Sequence, residues 1–210
     1  MQITPARPQI VYIVDDDDGI REGLSLLMET VDLPARAYAS ANEFLDNFDS
    51  ETGGCLILDI RMPRVSGLDL QKIMQTQNIT LPIIFITGHG DIPMAVEAMR
   101  QGALDFIRKP FREQDLLDAI NHAFEVDAGI NKHQRERATV LNKLAKLSDR
   151  ERQIFERVSK GDMNKVIAYD LGISERTVEV HRAQVMKKLE VNTLPALVRC
   201  KLIEEISDVH

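Results

Sequence analysis

The sequence predicts an α/β chain, a doubly wound domain with a parallel sheet followed by a small all-α domain. Three observations carry this. Apolar runs alternate with helix-like segments over the first 125 residues. Polar residues close four of those runs: Asp15-Asp16, Asp59, Thr87 and Lys109-Pro110. Past residue 145 the strand pattern stops and a succession of short helical segments with tight turns takes over.

The strands come first. QIVYIV (9–14), ARAY (35–38), CLIL (55–58), PIIFIT (82–87) and ALDFI (103–107) are the five apolar runs. Near-continuous apolar runs between helices describe parallel strands buried on both faces. The intervening helices are expected at about 18–31, 41–48, 66–76, 93–101 and 113–125. Asp17 and Asp18 read as helix-start residues favoured by the helix dipole. Ser66 or Gly67 opens the third helix, and Leu68, Leu70, Ile73 and Met74 give it an apolar face. Pro93 falls near the first turn of the fourth, where proline is tolerated. Gly102 is placed to end that helix. Five strands and five helices give a flavodoxin-like domain, with strand order 2-1-3-4-5 expected.

Residues 126–145 form a linker. Leu116, Leu117, Ile120 and Phe124 make a packed stripe, VDAGINKHQRERAT is largely polar, and Val140, Leu141, Leu144 and Leu147 restart a stripe. The segment reads as an extension of the last helix, with a break around Gly129 as the alternative. The second domain covers 146–210. SDRE (148–151) has capping-box spacing and opens a helix over 149–160. Helices over 164–171, 175–189 and 193–206 follow, with turns at Gly161-Asp162 and Gly172-Ile173-Ser174.

The chain has 210 residues with 44% hydrophobic and 28% charged residues, which suits soluble globular domains. Its net charge of -7 is uneven. Residues 1–125 carry 10 Lys and Arg against 20 Asp and Glu, and residues 126–210 carry 16 against 13. The small basic excess of the second part invites nucleic acid as a partner. Cys55 and Cys200 have no pairing motif, so a reduced, cytoplasmic chain is expected, with Cys55 buried and inert. MQITPARPQI lacks the layout of a signal peptide. No apolar stretch approaches the ~20 residues that span a bilayer, so no membrane is expected as a partner.

The chemistry follows from the strand ends. In open α/β sheets ligands bind beyond the carboxyl ends of the strands, at a topological switch point. Asp15, Asp16, Asp59, Thr87 and Lys109 should therefore converge. Clustered carboxylates repel unless a cation neutralises them, and an all-oxygen set with open positions suits Mg²⁺. One carboxylate can act as a nucleophile on phosphorus, with an amine and a hydroxyl stabilising the added charge. Asp59 is the candidate nucleophile, and Asp15 and Asp16 are the candidate metal ligands. Taken singly, each residue also has a plain reading as a helix cap, a turn former or a loop. The joint occurrence at strand ends carries the inference.

In the second domain, helix 175–189 can be read at ~100° per residue. Val178, His181, Val185 and Leu189 gather on a packing face, with Arg182 at its edge. Arg176, Glu179, Val180, Ala183 and Lys187 lie opposite, on a face free to enter a major groove. Arg176 suits guanine, Glu179 a cytosine amine, and Val180 and Ala183 thymine methyls. Lys165, Thr177, Arg182 and Lys188 are phosphate candidates, which position rather than specify. His181 reads as a packed or phosphate-bonding histidine.

The motifs VYIVDDDD, LILDIRMPRVSGLDL, IIFITGHGD and ALDFIRKPF resemble response-regulator receiver domains. ITGHGDIPMAVEAM is similar to the FixJ-like subgroup, which includes catabolic regulators of the styrene-regulator type. LSDRERQIFERVSKGDMNKVIAYDLGISERTVEVHRAQVMKKLEVNT resembles the LuxR/FixJ-type DNA-binding domain. Glu179 stands where many wider-family members carry lysine, which implies a different base preference. The resemblance implies phosphorylation of Asp59 by a cognate sensor histidine kinase, and Mg²⁺ on Asp16, Asp59 and the backbone carbonyl of Arg61. It implies a phosphoryl-holding Lys109 before a cis proline, and a switch pair in Thr87 and Phe106. Phe106 as a fixed core ring is the plain alternative.

Phosphorylation is then expected to rebuild the 93–107 face, where Val96, Met99 and Arg100 are the dimer-interface candidates. The homodimer would place two readers on two half-sites of promoter DNA and activate transcription with RNA polymerase. Such a chain is not an enzyme in the ordinary sense, since it promotes only its own phosphorylation and slow dephosphorylation. The alternatives are a Mg²⁺-dependent phosphohydrolase with an aspartate nucleophile, and a constitutive DNA-binding protein with a silent receiver. Turnover of a small phosphoester would point to the first, and phosphate-independent promoter binding to the second.

Overall fold

The computed structural model of the chain describes residues 7–88 and 92–207. It divides into two compact units, 1–131 and 132–210.

The first unit holds a five-stranded sheet in the order β2-β1-β3-β4-β5, all parallel. The strands are β1 (Gln9–Val14), β2 (Ala35–Tyr38), β3 (Gly53–Asp59), β4 (Ile83–Thr87) and β5 (Asp105–Arg108). Between them lie α1 (Asp18–Thr30), α2 (Ala41–Asn47), α3 (Gly67–Thr76) and α4 (Ile92–Arg100). The expected order and element sequence are found. β3 starts two residues earlier than its apolar run, because Gly53 and Gly54 continue the ladder opposite Gln9 and Ile10. β5 is shifted toward the polar end of its run, with Leu104 and Ala103 in the approach.

Alternation along the strands feeds two cores. Tyr12, Val14, Leu56, Leu58 and Phe85 pack on one face with Phe44, Leu70, Met74, Ala95 and Ala98 of α2, α3 and α4. Val11, Ile13, Cys55, Ile57, Ile84 and Ile86 pack on the other with Leu24 and Met28 of α1 and Leu116, Ile120 and Ala123 of the last helix. Each fully buried large aliphatic side chain contributes about 1.5–3 kcal/mol, so both helix layers are held by the same strands. Cys55 is fully buried, and burial pushes its thiol well above the ordinary range. Its burial is as expected.

Local signals set the helix starts. Asp17 caps α1 by accepting from Gly19 and Ile20. Ser66 and Asp69 form a capping box at α3. Gly102, at φ 87°, turns the chain after α4.

α5 (Glu113–Leu144) is continuous, so the polar segment is helical and Gly129 does not break it. The first unit extends to Asn131 rather than ending at residue 125. The reason is packing: Asp127 and Asn131 are buried against the first unit.

In the second unit, α6 (Asp149–Ser159), α7 (Asn164–Leu171), α8 (Glu175–Leu189) and α9 (Leu194–Ser207) enclose Ile154, Phe155, Ile167, Val178, Val185, Leu189 and Leu197. Leu144 at the end of α5 joins that core. Ser148 and Glu151 make the capping box of α6. Gly172, at φ 63°, ends α7, and Ser174 caps α8 two residues later. No helix among the described residues is long and apolar enough to cross a membrane.

Candidate functional site

The strand order reverses direction between β1 and β3, which opens the crevice where doubly wound sheets bind ligands. Asp15 leaves β1 at this point, and Asp59 ends β3 in register with Ile86. Thr87 ends β4 in register with Arg108, and its carbonyl accepts from the Lys109 amide at 2.7 Å. Lys109 thereby reaches back over the sheet. Its Nζ donates to Asp15 Oδ2 at 2.9 Å and to Asp59 Oδ1 at 3.0 Å. The other oxygens are used too. Asp15 Oδ1 accepts from the Asp17 amide at 2.9 Å, and Asp59 Oδ2 from the Arg61 amide at 2.6 Å.

The loop after β3 is shaped by one glycine. A Cβ on Gly67 would stand 2.2 Å from the Asp59 carbonyl oxygen and 2.9 Å from the Phe85 ring. Only glycine lets α3 begin so close to the strand end, and the Gly67 amide then donates to the Ile60 carbonyl at 3.0 Å. Asp59 is held by this close approach.

The electrostatics are those of a crowded, half-shielded pocket. Asp15 is 3% exposed, and Asp16 is exposed beside it. Burial pushes the Asp59 carboxyl above the usual carboxylate range, and Asp15 adds to this, although Lys109 opposes it. Burial pulls Lys109 down, but its bonds and attraction to the two carboxylates win, and its ammonium sits above the usual lysine range. One ammonium thus serves two carboxylates.

A third carboxylate leaves the pocket with net negative charge. Hard oxygen donors and that surplus charge fit Mg²⁺ in kind. Among the described residues no three such side chains are gathered closely enough to hold a metal as they stand. Lys109 occupies the space between Asp15 and Asp59, and Asp16 points to solvent.

Thr87 is buried at the end of β4, and the Phe106 ring on edge strand β5 is 40% exposed. Phe106 is therefore not a fixed core ring. The Lys109-Pro110 bond is cis. Val96, Met99 and Arg100 are exposed along one side of α4.

In the second unit one face of α8 is anchored in the helical core. Val178, Val185 and Leu189 are buried. Arg176, Glu179, Val180, Ala183 and Lys187 are all exposed, on the face that the wheel assigns.

Residues 11–121 match the response regulator receiver domain family, and residues 145–200 match the LuxR family of bacterial regulatory proteins. The chain is a response regulator. It is 46% identical to the response regulator protein TmoT of Ectopseudomonas mendocina over 90% of this chain and 86% of that protein. It is 43% identical to the transcriptional regulatory protein FixJ of Azorhizobium caulinodans over 94% and 93%. Among solved structures, the response regulator StyR has a TM-score of 0.81 at 41% identity, over 92% of this chain and 98% of that one. The response regulator is thus a phosphorylation-dependent transcriptional regulator with a LuxR-type DNA-binding domain.

The sequence-selected residues of this response regulator meet in two places. Asp15, Asp59, Thr87 and Lys109 converge, and Asp16 borders them. Residues 89–91, at the end of the IIFITGHGD motif, lie outside the described residues.

On the DNA side the Lys188 ammonium bonds Glu151 at 2.6 Å and the Lys146 carbonyl at 3.1 Å, which ties α8 to α6. Arg182 donates to Asn164 Oδ1 at 3.1 Å, which joins α8 to α7. Thr177 shares its hydroxyl with Ser174 at 2.7 Å, and His181 is half-buried. Lys165 is exposed. Sequence reasoning missed Gly67 as a shaping residue, although the spacing of a glycine eight residues after Asp59 was there to read. It also missed Glu151 as the partner of Lys188, for which the capping box was the only sign.

Proposed function

We propose that Asp59 is the phosphoacceptor through which a cognate sensor histidine kinase controls promoter binding by α8. The observation that supports this reading is the single Lys109 ammonium shared by Asp15 and Asp59 at the sheet switch point. An Asp59 oxygen attacks phosphorus on the kinase phosphohistidine. The phosphorus–oxygen bond forms, the phosphorus–nitrogen bond breaks, and the imidazole leaves with the bond electrons. Lys109 keeps Asp59 in the anionic form needed for attack and afterwards pairs with the phosphoryl oxygens.

Asp15, Asp16, Asp59 and the Arg61 carbonyl are the oxygens that would hold Mg²⁺, with Asp16 turning in from solvent. When bound, the ion supplies positive charge to the phosphoryl group. Thr87, buried one strand away, donates its hydroxyl to the phosphoryl group, and the Phe106 ring leaves solvent for the space vacated. This remodels the exposed face of α4, so that Val96, Met99 and Arg100 pair two chains about a twofold axis. The dimer binds two half-sites and activates transcription with RNA polymerase. Arg176, Glu179, Val180 and Ala183 read bases. Lys165, Thr177, His181, Arg182 and Lys187 hold phosphates, with His181 and Arg182 doing so from the edge of the packing face.

The test is incubation with acetyl phosphate and Mg²⁺, followed by intact mass, sedimentation and promoter binding. A single phosphoryl mass increment, dimerisation and tighter binding are expected, all abolished by Asp59→Asn. A mass increment that survives Asp59→Asn refutes the site.

A further inference from the structure

The end of the first unit opposite the phosphoacceptor pocket carries a second buried polar cluster, and it lies on the helix that leads to the DNA-binding unit. Asp127 is 3% exposed. Its Oδ2 accepts from the Gly54 amide at 3.1 Å, and it fills the space over Gly53, where a Cβ would stand 2.4 Å from that oxygen. One turn on, Asn131 is buried as well, and its Nδ2 donates to the Asp127 carbonyl at 2.9 Å. Arg7 closes the cluster from the chain's start. Its guanidinium donates to Asn131 Oδ1, to the Thr52 carbonyl at 2.7 Å and to the Glu51 carbonyl at 3.0 Å. Gln9 adds a bond from its Nε2 to the Phe124 carbonyl at 3.1 Å.

Two separate stretches of chain, 7–9 and 51–54, therefore hold α5 between Phe124 and Asn131. That stretch has little helical support of its own. Gly129 lowers helix propensity by roughly 1 kcal/mol relative to alanine, and the residues after Asn131 are mostly polar and exposed. Nothing lies within 4 Å of a Cβ placed on Gly129, so no packing reason keeps alanine out of the position.

The buried carboxylate makes the tether conditional. A carboxylate taken out of water is costly unless paired and hydrogen-bonded. Asp127 has the Gly54 amide and the nearby charge of Arg7, and burial still holds its carboxyl above the usual range.

We propose that Arg7, Asp127 and Asn131 form a latch that keeps α5 helical where the receiver ends, and that this continuity couples Asp59 phosphorylation to DNA binding. The coupling half rests on the function proposed above. The latch residues are positioning residues, since none of them touches the phosphoacceptor pocket's side chains in the contacts described.

The experiment compares hydrogen–deuterium exchange of the full chain with Arg7→Ala, Asn131→Ala and the double variant Arg7→Ala/Gly129→Ala. Labelling of Asp59 by acetyl phosphate and promoter affinity, with and without phosphorylation, are measured in parallel. Exchange across 126–140 should rise at least about tenfold in the single variants, a change of ~1.4 kcal/mol. Exchange in β1 and β3 should change less than about twofold, and labelling of Asp59 should be unaltered. The phosphorylation-dependent gain in promoter affinity should fall, and Gly129→Ala should restore both helix protection and gain.

Unchanged exchange across 126–140 overturns the latch. So does an equal rise throughout the first unit, which would mean general destabilisation. A loosened helix with a full phosphorylation-dependent gain overturns the coupling and leaves the helix a spacer. If the unaltered chain itself takes no phosphoryl group, the fault lies with the function proposed above, and the exchange results still judge the latch.

Discussion

Asp59→Asn should stabilise the first unit, although it deletes a hydrogen-bonded ion pair. The two carboxylate oxygens are 2.9 Å and 3.0 Å from the same Lys109 nitrogen, so they lie at most about 6 Å apart. At an effective dielectric of ~20, attraction at 3 Å is about 5–6 kcal/mol and repulsion at 6 Å is about 3 kcal/mol. Removing the Asp59 charge forfeits the first and relieves the second. It also relieves the desolvation of one ion, which costs several kcal/mol in protein interiors. The balance favours the variant by about 1 kcal/mol, equivalent to a Tm increase of roughly 3–5 °C for a unit of this size. Linkage agrees in sign. A folded-state carboxyl raised above its unfolded value makes stability fall as pH rises through that window, so the unaltered chain carries the penalty above it. Scanning calorimetry of the full chain is the assay. Mg²⁺ identifies the transition of the first unit, raising it in the unaltered chain and much less in the variant. Lys109→Ala should act in the opposite direction, by about 2 kcal/mol or more, because it strands two carboxylates. A lowered Tm for Asp59→Asn, or a raised one for Lys109→Ala, would refute the picture of a cluster under electrostatic strain.

Gly67→Ala should cost more than about 2 kcal/mol, as overpacking against backbone does, and slow acetyl-phosphate labelling of Asp59; unimpaired labelling would show that the close approach is not needed. In the second unit, Glu151 is held down to about 2 by the Lys188 ammonium and the Ser148 amide. Its contribution is present above the unfolded value near 4.3 and is lost as pH falls from there toward 2, so Glu151→Gln should flatten the acid limb of that unit's unfolding curve. Arg176→Ala should reduce discrimination between promoter and random DNA, at about 1–3 kcal/mol for the base it reads. Lys187→Ala should weaken binding evenly and lower the salt slope by about 1; titrations across salt separate the two, and the reverse pattern would exchange their roles.

The fold was legible where side-chain chemistry repeats. Runs such as Val11–Val14 and Ile83–Thr87 are apolar on both faces because both faces are covered, and that leaves a mark no surface strand would. Caps were legible for the same reason: Asp17, Ser66 and Ser148 act on neighbours three residues away or fewer. The pocket was legible because strand ends bring distant residues together by rule. What escaped depends on unique long-range contacts. Lys188 looked like any basic residue on an exposed helix, and only the packing of α6 on α8 places Glu151 under it. Asp127 and Asn131 looked like linker polarity until Gly54 and Arg7 were set beside them. β3 begins at Gly53, a residue of low strand propensity, because its backbone is captured by the ladder to β1.

The order of the sheet has a consequence for distance. Asp59 is on the middle strand and Phe106 on an outer one, with only β4 between them. Neighbouring strands are ~4.8 Å apart, so news of the phosphoryl group has about 10 Å to travel before it reaches solvent. Neither β2 nor the helices flanking it stand on that short route. Variation there can retune the stability of the unit while leaving the message intact.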